Sequence, residues 1–203
     1  MKFSVLNLKK TTVISFIGLD GAGKGTYIEM LIKHINKNQI AHSNLYLGYS
    51  NYSRLLKGLD NFKNTRTGLV YKLAMIAFLA VLPFEFLLRK LNIKYNCRLV
   101  TTDRHPLFET VRSSDSYSFY DKLIQLCCPT PHVVFYLTGD PEALWKRKKE
   151  HSMEVYLSKK DTLESLISIN SKNIDIHRIN TCKTKDEVFS EIKSHCQKMG
   201  LLS

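Results

Sequence analysis

Acidic residues are scarce in this chain of 203 residues, and its cysteines form no recognisable pattern. Asp and Glu number 18 against 30 Lys and Arg, which gives a formal net charge of +12 at pH 7. The five cysteines are an odd number and lack the spacing of a zinc site. Because no signal peptide precedes them, we expect a protein of the reducing cytoplasm rather than a disulfide-bonded secreted one.

Repeats, linkers and low-complexity stretches are also missing, so we expect a single domain over residues 1–203. Hydrophobic residues make up 44% of the chain and charged residues 24%, a balance typical of soluble globular proteins. The positive charge favours an anionic partner, either a nucleotide, a membrane surface or nucleic acid. No motif of an RNA- or DNA-binding protein accompanies the charge, so a nucleic-acid partner is not expected.

The longest uncharged apolar run, residues 73–84, is too short to span a membrane. Residues 73–84 carry no charge, and such a stretch rises only about 18 Å as a helix, against ~30 Å of hydrocarbon. Lys72 precedes the run and Pro83 interrupts it, so we predict no transmembrane helix. A helix that is apolar on all sides is either buried or in lipid. Three placements stay open: the core, a homodimer interface, or an acceptor pocket in peripheral contact with the inner face of a membrane.

A phosphate-binding pattern follows the first predicted strand. Residues 13–17 favour a strand, a glycine-rich turn comes next, and a helical pattern begins near Lys24. In that context backbone N–H groups close around phosphate oxygens, and the helix N-terminus adds a partial positive charge. We expect Lys24 to reach the outer phosphates of ATP. The predicted nucleotide-binding residues are Gly18, Asp20, Gly21, Ala22, Gly23, Lys24, Gly25 and Thr26.

The ligand of the accompanying Mg²⁺ is ambiguous in this loop. A serine or threonine normally follows the lysine and binds the ion, but here Gly25 follows and the nearest hydroxyl belongs to Thr26. The candidates are Thr26, Asp20, Asp103 and water, and we predict Thr26 and Asp103 as the metal residues.

Apolar alternation and chain breakers predict strands alternating with helices, and therefore a parallel sheet covered on both faces. The expected fold is a three-layer α/β/α domain with five strands. Ligands of such sheets bind beyond the carboxyl ends of the strands, where Gly18–Thr26 and the Asp103-Arg104 pair both lie. The predicted strands cover 12–17, 43–47, 97–102, 132–138 and 174–179; the predicted helices cover 24–37, 51–60, 68–92, 117–127, 141–150, 153–169 and 184–199.

Two further elements carry charged groups at strand ends. A buried strand ends in Asp103 and Arg104, and an aspartate there can hold magnesium while an arginine forks onto a phosphate or carboxylate. A later strand leads to Asp140, a plausible helix cap, and the helix begins at Pro141 and runs into Arg147. A surface ion pair and a solvated basic face are the alternatives to functional roles.

Together these elements resemble thymidylate kinases within the P-loop nucleoside monophosphate kinases. Gly-Leu-Asp-Gly-Ala-Gly-Lys is similar to the loop of thymidylate kinases, and Gly-Lys-Gly-Thr to that of adenylate kinases. Asp103-Arg104-His105 resembles the Asp-Arg-Tyr or Asp-Arg-His motif of thymidylate kinase-like proteins. The strand followed by Asp140-Pro141-Glu142 resembles the fourth strand and lid entry of that family.

The resemblance implies a P-loop kinase fold, with an acceptor-binding helical region at about 48–95 and a short helical lid at about 141–160. It implies ATP and Mg²⁺ as cofactors. Lys24 and Arg147 would neutralise the moving phosphoryl group, and Asp103 would orient magnesium or the nucleophile. Arg104 would hold the acceptor, and Asp20 would contact magnesium or the acceptor hydroxyl.

The acceptor is less well defined than the donor. Thymidylate kinases carry Arg-Glu-Pro after the second strand, where this chain has Leu45–Ser50, and Ser-x-x-Ala-Tyr-Gln where it has Pro106–Arg112. The resemblance implies a small-molecule acceptor, dTMP foremost. A nucleoside, sugar, glycolipid or lipid acceptor is the alternative. A nucleotide-binding regulatory protein with little turnover is the hypothesis from a different class.

Overall fold

The computed structural model describes residues 11–49, 53–91, 98–109 and 119–202. Some predicted features lie outside the described residues: positions 51–52, 92, 97 and 117–118 at the ends of predicted elements, and Ser50 and 110–112 among the motif departures.

Five strands form one sheet in which every neighbouring pair is parallel, in the order β2-β3-β1-β4-β5. Their β-branched and aromatic residues, such as Ile14, Phe16 and Phe135, are fully buried because helices cover both faces. The predicted α/β class and strand number are therefore confirmed. The strands are β1 (Thr12–Gly18), β2 (His42–Tyr46), β3 (Leu99–Asp103), β4 (Val133–Thr138) and β5 (Asp175–Asn180).

The helices begin and end within a few residues of their predicted bounds. Asp140 caps its helix as predicted, because its carboxylate accepts the N–H of Ala143 at 2.9 Å and Pro141 is the first helical residue. This helix ends at Arg147, three residues before the predicted end. The helices are α1 (Lys24–Lys37), α2 (Arg54–Asn64), α3 (Gly68–Leu91), α4 (Phe119–Leu126), α5 (Pro141–Arg147), α6 (Met153–Asn170) and α7 (Lys185–Lys198), with a 3₁₀ turn at Pro106–Phe108.

The register of the sheet brings the two predicted motifs together. Phe16 of β1 lies beside Asp103 of β3, and Gly18 at the end of β1 lies beside Leu137 of β4. Both the loop after β1 and the Asp103-Arg104 pair therefore leave the same edge of the sheet. That edge is where open α/β sheets bind ligands.

Helix α3 agrees with the predicted helix over 68–92 to within one residue. Pro83 lies inside it, and its 24 residues correspond to about 36 Å. Among the described residues it is the one helix long and apolar enough to cross a membrane, by length and composition alone. The length of about 18 Å therefore holds for the uncharged run of residues 73–84 and not for the whole apolar helix. The helix continues past the proline because buried apolar residues, Phe78 and Phe86, pack on both sides of it.

Only one side of α3 belongs to the core. Ala74, Phe78, Leu82 and Phe86 are buried, three of them in a cluster with Leu56 of α2. Only 22% of the most apolar 18-residue stretch of the helix is buried. The placement of residues 73–84 in the core is therefore right for one face of the helix and wrong for the other.

Candidate active site

The loop after β1 has the backbone geometry that its glycines allow. Gly21 and Gly23 have φ values of 85° and 83°, in the left-handed region that side chains rarely adopt. A Cβ at Gly21 would collide with the backbone carbonyl of Leu144 in α5. The loop therefore packs directly beneath α5, and a larger residue at Gly21 would separate them.

Lys24 is the buried cation of this loop. Its ammonium donates to the carbonyl oxygens of Gly18 at 2.8 Å and Leu19 at 3.0 Å. Burial, together with the neighbouring Arg104, lowers the pKa of Lys24 to about 8, although Asp20 and Asp103 oppose the shift. A phosphate group in the loop would favour the charged ammonium.

The other predicted loop residues surround this lysine. Ala22 is buried, whereas Gly25 and Thr26 are exposed in the first turn of α1. The Thr26 hydroxyl is thus open to a ligand arriving from solvent.

Asp103 ends β3 with an unsatisfied oxygen. Its Oδ1 is buried and accepts no hydrogen bond from the part of the chain that the structure describes. Burial raises the pKa of Asp103, and Lys24 and Arg104 oppose that rise. A buried carboxylate oxygen without a donor carries a free-energy cost that a cation, a proton or water relieves. Carboxylate and hydroxyl oxygens are ligands that Mg²⁺ prefers, so Asp103 and Thr26 fit that ion chemically.

Arg104 is fixed between two carboxylates. Its φ of 64° is unusual for a side-chain-bearing residue, and its N–H donates to the carbonyl of Phe16 at 3.0 Å. One guanidinium nitrogen lies 2.7 Å from Asp20 and another 2.7 Å from Glu109. Burial alone would lower the pKa of Arg104, but Glu109 and Asp20 raise it well above its usual range.

Asp20 and Glu109 complete this ion-paired group. Burial would raise the pKa of Asp20, but Arg104 and Lys24 lower it below its usual value. Glu109 also accepts the backbone N–H of Tyr49 at 3.4 Å. Sequence reasoning missed Glu109, and its only signal was a carboxylate five residues after Arg104 in the segment that departs from the thymidylate kinase pattern.

A cavity of about 680 Å³ opens beside this group. Its walls come from the ends of β1 and β2, the loops that follow these strands, the segment after β3 with the 3₁₀ turn, His151, and α6. Of the described residues in 48–95, Tyr49 is the one that lines it, so α2 and α3 do not contribute. Its charged lining residues are Asp20, Arg104, Glu109 and Lys159, and its aromatic ones are Tyr46, Tyr49, Phe108 and Tyr156.

His105, the third residue of the Asp-Arg-His motif, is structural. It is fully buried; its Nδ1 accepts the N–H of Leu107 at 3.2 Å, and its Nε2 lies 2.9 Å from the carbonyl of Pro129. Burial lowers the pKa of His105 to about 4. The neutral ring therefore holds the turn after Arg104 in place.

The segment predicted to be a lid, about 141–160, contacts the loop through Tyr156 as well as through α5. The Tyr156 hydroxyl donates to the carbonyl of Asp20 at 3.1 Å. Arg147 stands close to Gly21, but its guanidinium donates to the carbonyl of Thr181, after β5, at 3.2 Å. The backbone of Arg147, the predicted lid arginine, is thus close to the loop, but its guanidinium points toward the end of β5.

One further group of oxygen and nitrogen ligands was not anticipated from the sequence. Ligand atoms of Asp20, Glu150 and His151 lie within 4.8 Å of one another. This arrangement could hold a divalent cation between the loop and the lid, although Glu150 and His151 are exposed.

No protein-family model and no curated protein matches this chain. Solved structures do match it. A thymidylate kinase from Candida albicans has a TM-score of 0.63 at 17% identity, and the match covers 95% of this chain and 93% of the Candida albicans chain. A thymidylate kinase from Ehrlichia chaffeensis has a TM-score of 0.57 at 17% identity, and the match covers 91% of this chain and 97% of the Ehrlichia chaffeensis chain.

A deoxyadenosine kinase from M. mycoides, solved with the products dCMP and a flexible dCDP, has a TM-score of 0.61 at 11% identity. It covers 93% of this chain and all of its own. At these identities the likeness shows a shared fold. The resemblance to thymidylate kinases predicted from the motifs is confirmed at that level.

Proposed function

We propose that this protein is an ATP-dependent phosphotransferase that moves the γ-phosphate to a small acceptor bound in the cavity. One observation carries the proposal: the glycine loop with buried Lys24 lies beside Asp103, Arg104 and a cavity of about 680 Å³. A donor-phosphate site thus adjoins a separate pocket for a second substrate. The fold shared with structures named thymidylate kinase and deoxyadenosine kinase supports the same reaction class.

The residues of the loop would bind and neutralise the donor phosphates. Backbone N–H groups of Gly18–Thr26 would hold the phosphate oxygens, and Lys24 would leave its two carbonyl partners to meet the outer phosphates. Asp103 and Thr26 would hold Mg²⁺, which supplies further charge neutralisation when bound. Arg147 would join them by turning its guanidinium from Thr181 toward the phosphates.

The lid and the loop after β2 would enclose the acceptor. Five residues from 141–160 line the cavity (His151, Val155, Tyr156, Ser158 and Lys159), which supports a lid role for this segment. From 48–95 the support is limited to Tyr49. The resemblance places dTMP first among acceptors, and a nucleoside, sugar, glycolipid or lipid second.

A regulatory protein that only binds nucleotide is disfavoured by two features. Such a protein has no need of a second cavity, nor of the buried, unpartnered carboxylate oxygen of Asp103 at the phosphate end. Buried polar atoms without partners occur preferentially where a ligand or a reaction requires them.

The test combines ATP binding with ADP release. We expect the wild-type protein to bind ATP and to release ADP when one member of a panel of nucleosides, nucleoside monophosphates and sugars is added. Lys24→Met should abolish release and weaken binding, because the outer phosphates lose their cation. Lys33→Ala, which removes an exposed lysine from the same helix, should change neither. Equal ATP binding and turnover in Lys24→Met and wild type would exclude the assignment of the loop.

A further inference from the structure

The charge at the inner end of the cavity is set by three side chains. Arg104 contributes one positive charge, and Asp20 and Glu109 contribute two negative ones, so the group carries a net charge of −1. Both carboxylates bind the guanidinium at 2.7 Å, and their side chains are only 15% and 21% exposed. The positive charge of Arg104 is therefore already balanced by two carboxylates.

A phosphorylated acceptor would be poorly matched to this group. The two carboxylates each take one contact on a terminal nitrogen of Arg104, so a phosphate that bound the remaining N–H groups would lie beside two half-buried anions. Like charges at such a separation repel strongly in a poorly solvated site. The other cation of the lining, Lys159, is exposed on α6, so it meets a ligand from the solvent side.

A neutral acceptor is well matched to it. Carboxylate oxygens accept hydrogen bonds from hydroxyl groups, and Asp20 belongs both to the loop and to the cavity lining. Tyr46, Tyr49 and Phe108 line the cavity with aromatic side chains that suit a flat or apolar body. Aromatic walls with a few convergent polar groups are typical of small-molecule sites.

We propose, on the basis of the phosphotransferase function above, that the acceptor is an unphosphorylated hydroxyl compound of nucleoside size rather than a phosphate monoester. Its hydroxyl oxygen forms the new bond to the γ-phosphorus, and the bond from that phosphorus to the β–γ bridging oxygen breaks. ADP leaves, and the hydroxyl proton passes to a carboxylate, for which Asp20 is the candidate because it belongs both to the loop and to the cavity lining. Glu109 is the specificity-determining residue because it keeps Arg104 neutralised.

The test uses acceptor pairs that differ only by a phosphate: thymidine and dTMP, deoxyadenosine and dAMP, deoxycytidine and dCMP. We expect the unphosphorylated member of the best pair to have a kcat/KM for ADP release at least ~10-fold higher, about the effect of one charged contact. Glu109→Gln should shift that ratio toward the monophosphate by about tenfold, because the neutral amide removes one of the two negative charges that pair with Arg104. The KM for ATP should stay unchanged. Glu29→Gln, an exposed carboxylate of α1, is the matched control.

Three outcomes would overturn the inference: a higher kcat/KM for the monophosphate, an unchanged ratio in folded Glu109→Gln, or transfer to monophosphates but to no unphosphorylated member. Each requires that phosphate transfer is observed and so differs from failure of the proposed function, which is absence of transfer to any acceptor.

A second inference rests on α3 and is independent of the site. Its large exposed apolar residues, apart from Tyr71, lie along one side of the helix. They span about 33 Å. They are Leu69, Val70, Leu73, Ile76, Phe84, Leu87, Leu88 and Leu91.

Charge distinguishes between the partners for this face. Residues 54–91 contain seven Lys and Arg and two Asp and Glu, and both acids are paired, Asp60 with Lys63 and Glu85 with Arg89. A second copy would bring an α2–α3 pair with the same net positive charge against this one. Anionic lipid headgroups supply the opposite charge.

We propose that this face binds the surface of an anionic bilayer, with its apolar side chains at the boundary between headgroups and acyl chains. The wild-type protein should sediment with phosphatidylcholine–phosphatidylglycerol vesicles at low salt, less at high salt, and little with phosphatidylcholine alone. Phe84→Glu should reduce binding by about tenfold or more, because a charge replaces an inserted ring. Ile169→Glu, at an exposed apolar position of α6, should not.

Absence of sedimentation with the mixed vesicles at low salt would overturn this inference. So would a dimer in analytical ultracentrifugation that Phe84→Glu dissociates, since a second copy would then occupy the face.

Discussion

The edge of the sheet that carries Gly18–Thr26 and Asp103-Arg104 and the α2–α3 pair differ in how the sequence specifies them. At this edge the residue types themselves are distinctive: glycines in left-handed conformations, a buried lysine, and charged groups at strand ends. In α3, residues 73–84 are apolar on every side, so no periodicity separates the packed face from the exposed one. Functional constraint is thus visible in one region, whereas in the other only tertiary packing decides.

The two phenylalanines of α3 test that difference with the largest expected effect. Phe78 is 4% exposed and Phe84 is 64% exposed. Phe78→Glu should lower the free energy of unfolding by about 4 kcal/mol or more, because it removes a buried ring and buries a carboxylate. Phe84→Glu should change it by less than about 0.5 kcal/mol. Chemical denaturation measures both, and equal losses would contradict the assignment of the two faces.

The next effect concerns pH and the turn that follows Arg104. His105 has a pKa of about 4 in the folded protein, below its unfolded value of about 6.5. Between these values the unfolded chain binds more protons, so stability falls as pH drops from about 6.5 to about 4, by about 3 kcal/mol in total. His105→Gln should remove this part of the pH dependence in urea titrations. A variant with the wild-type slope would place the titrating group elsewhere.

Asp103 directly tests the edge of the sheet that carries Gly18–Thr26. Asp103→Asn should reduce turnover by at least ~100-fold and spare ATP binding, because the amide cannot replace a negatively charged ligand or base. Asp161→Asn, at an exposed aspartate of α6, should leave both unchanged. Full activity in Asp103→Asn would make the unpartnered oxygen a structural feature.

A smaller, graded effect is expected in the pH dependence of ATP binding through Lys24. With a pKa of about 8 in the free protein, it loses its proton above that pH, and ATP binding must then recover it. The Kd for ATP should rise by up to about tenfold per pH unit above pH 8. A flat profile up to pH 10 would indicate an ordinary lysine. Lys24→Arg, which stays charged, provides the reference profile.

Sequence reasoning succeeded where the partners are close along the chain or lie at parallel strand ends. The βα pattern predicts a parallel sheet with the loop of Gly18–Thr26 and the Asp103-Arg104 pair at strand ends, and the strand order and register place the two side by side. Glu109 was missed because its importance depends on Arg104 also meeting Asp20, 84 residues away. No local pattern encodes that meeting.

Two other features depended on packing in the same way. The guanidinium of Arg147 is directed by the carbonyl of Thr181, 34 residues further on. The face of α3 that is buried is set by its contacts with α2 and α4. In both cases a contact made only in the folded chain supplies what the local sequence does not encode.

Transfer of labelled phosphate from γ-labelled ATP tests the central claim most directly. In the presence of ATP, Mg²⁺ and the best acceptor of the panel, the label should appear on the acceptor in equal amounts with ADP, and Lys24→Met should transfer none. Label released only as inorganic phosphate, or retained on ATP despite binding, would contradict the account. Either result would show that the loop binds or hydrolyses nucleotide without transferring phosphate to an acceptor.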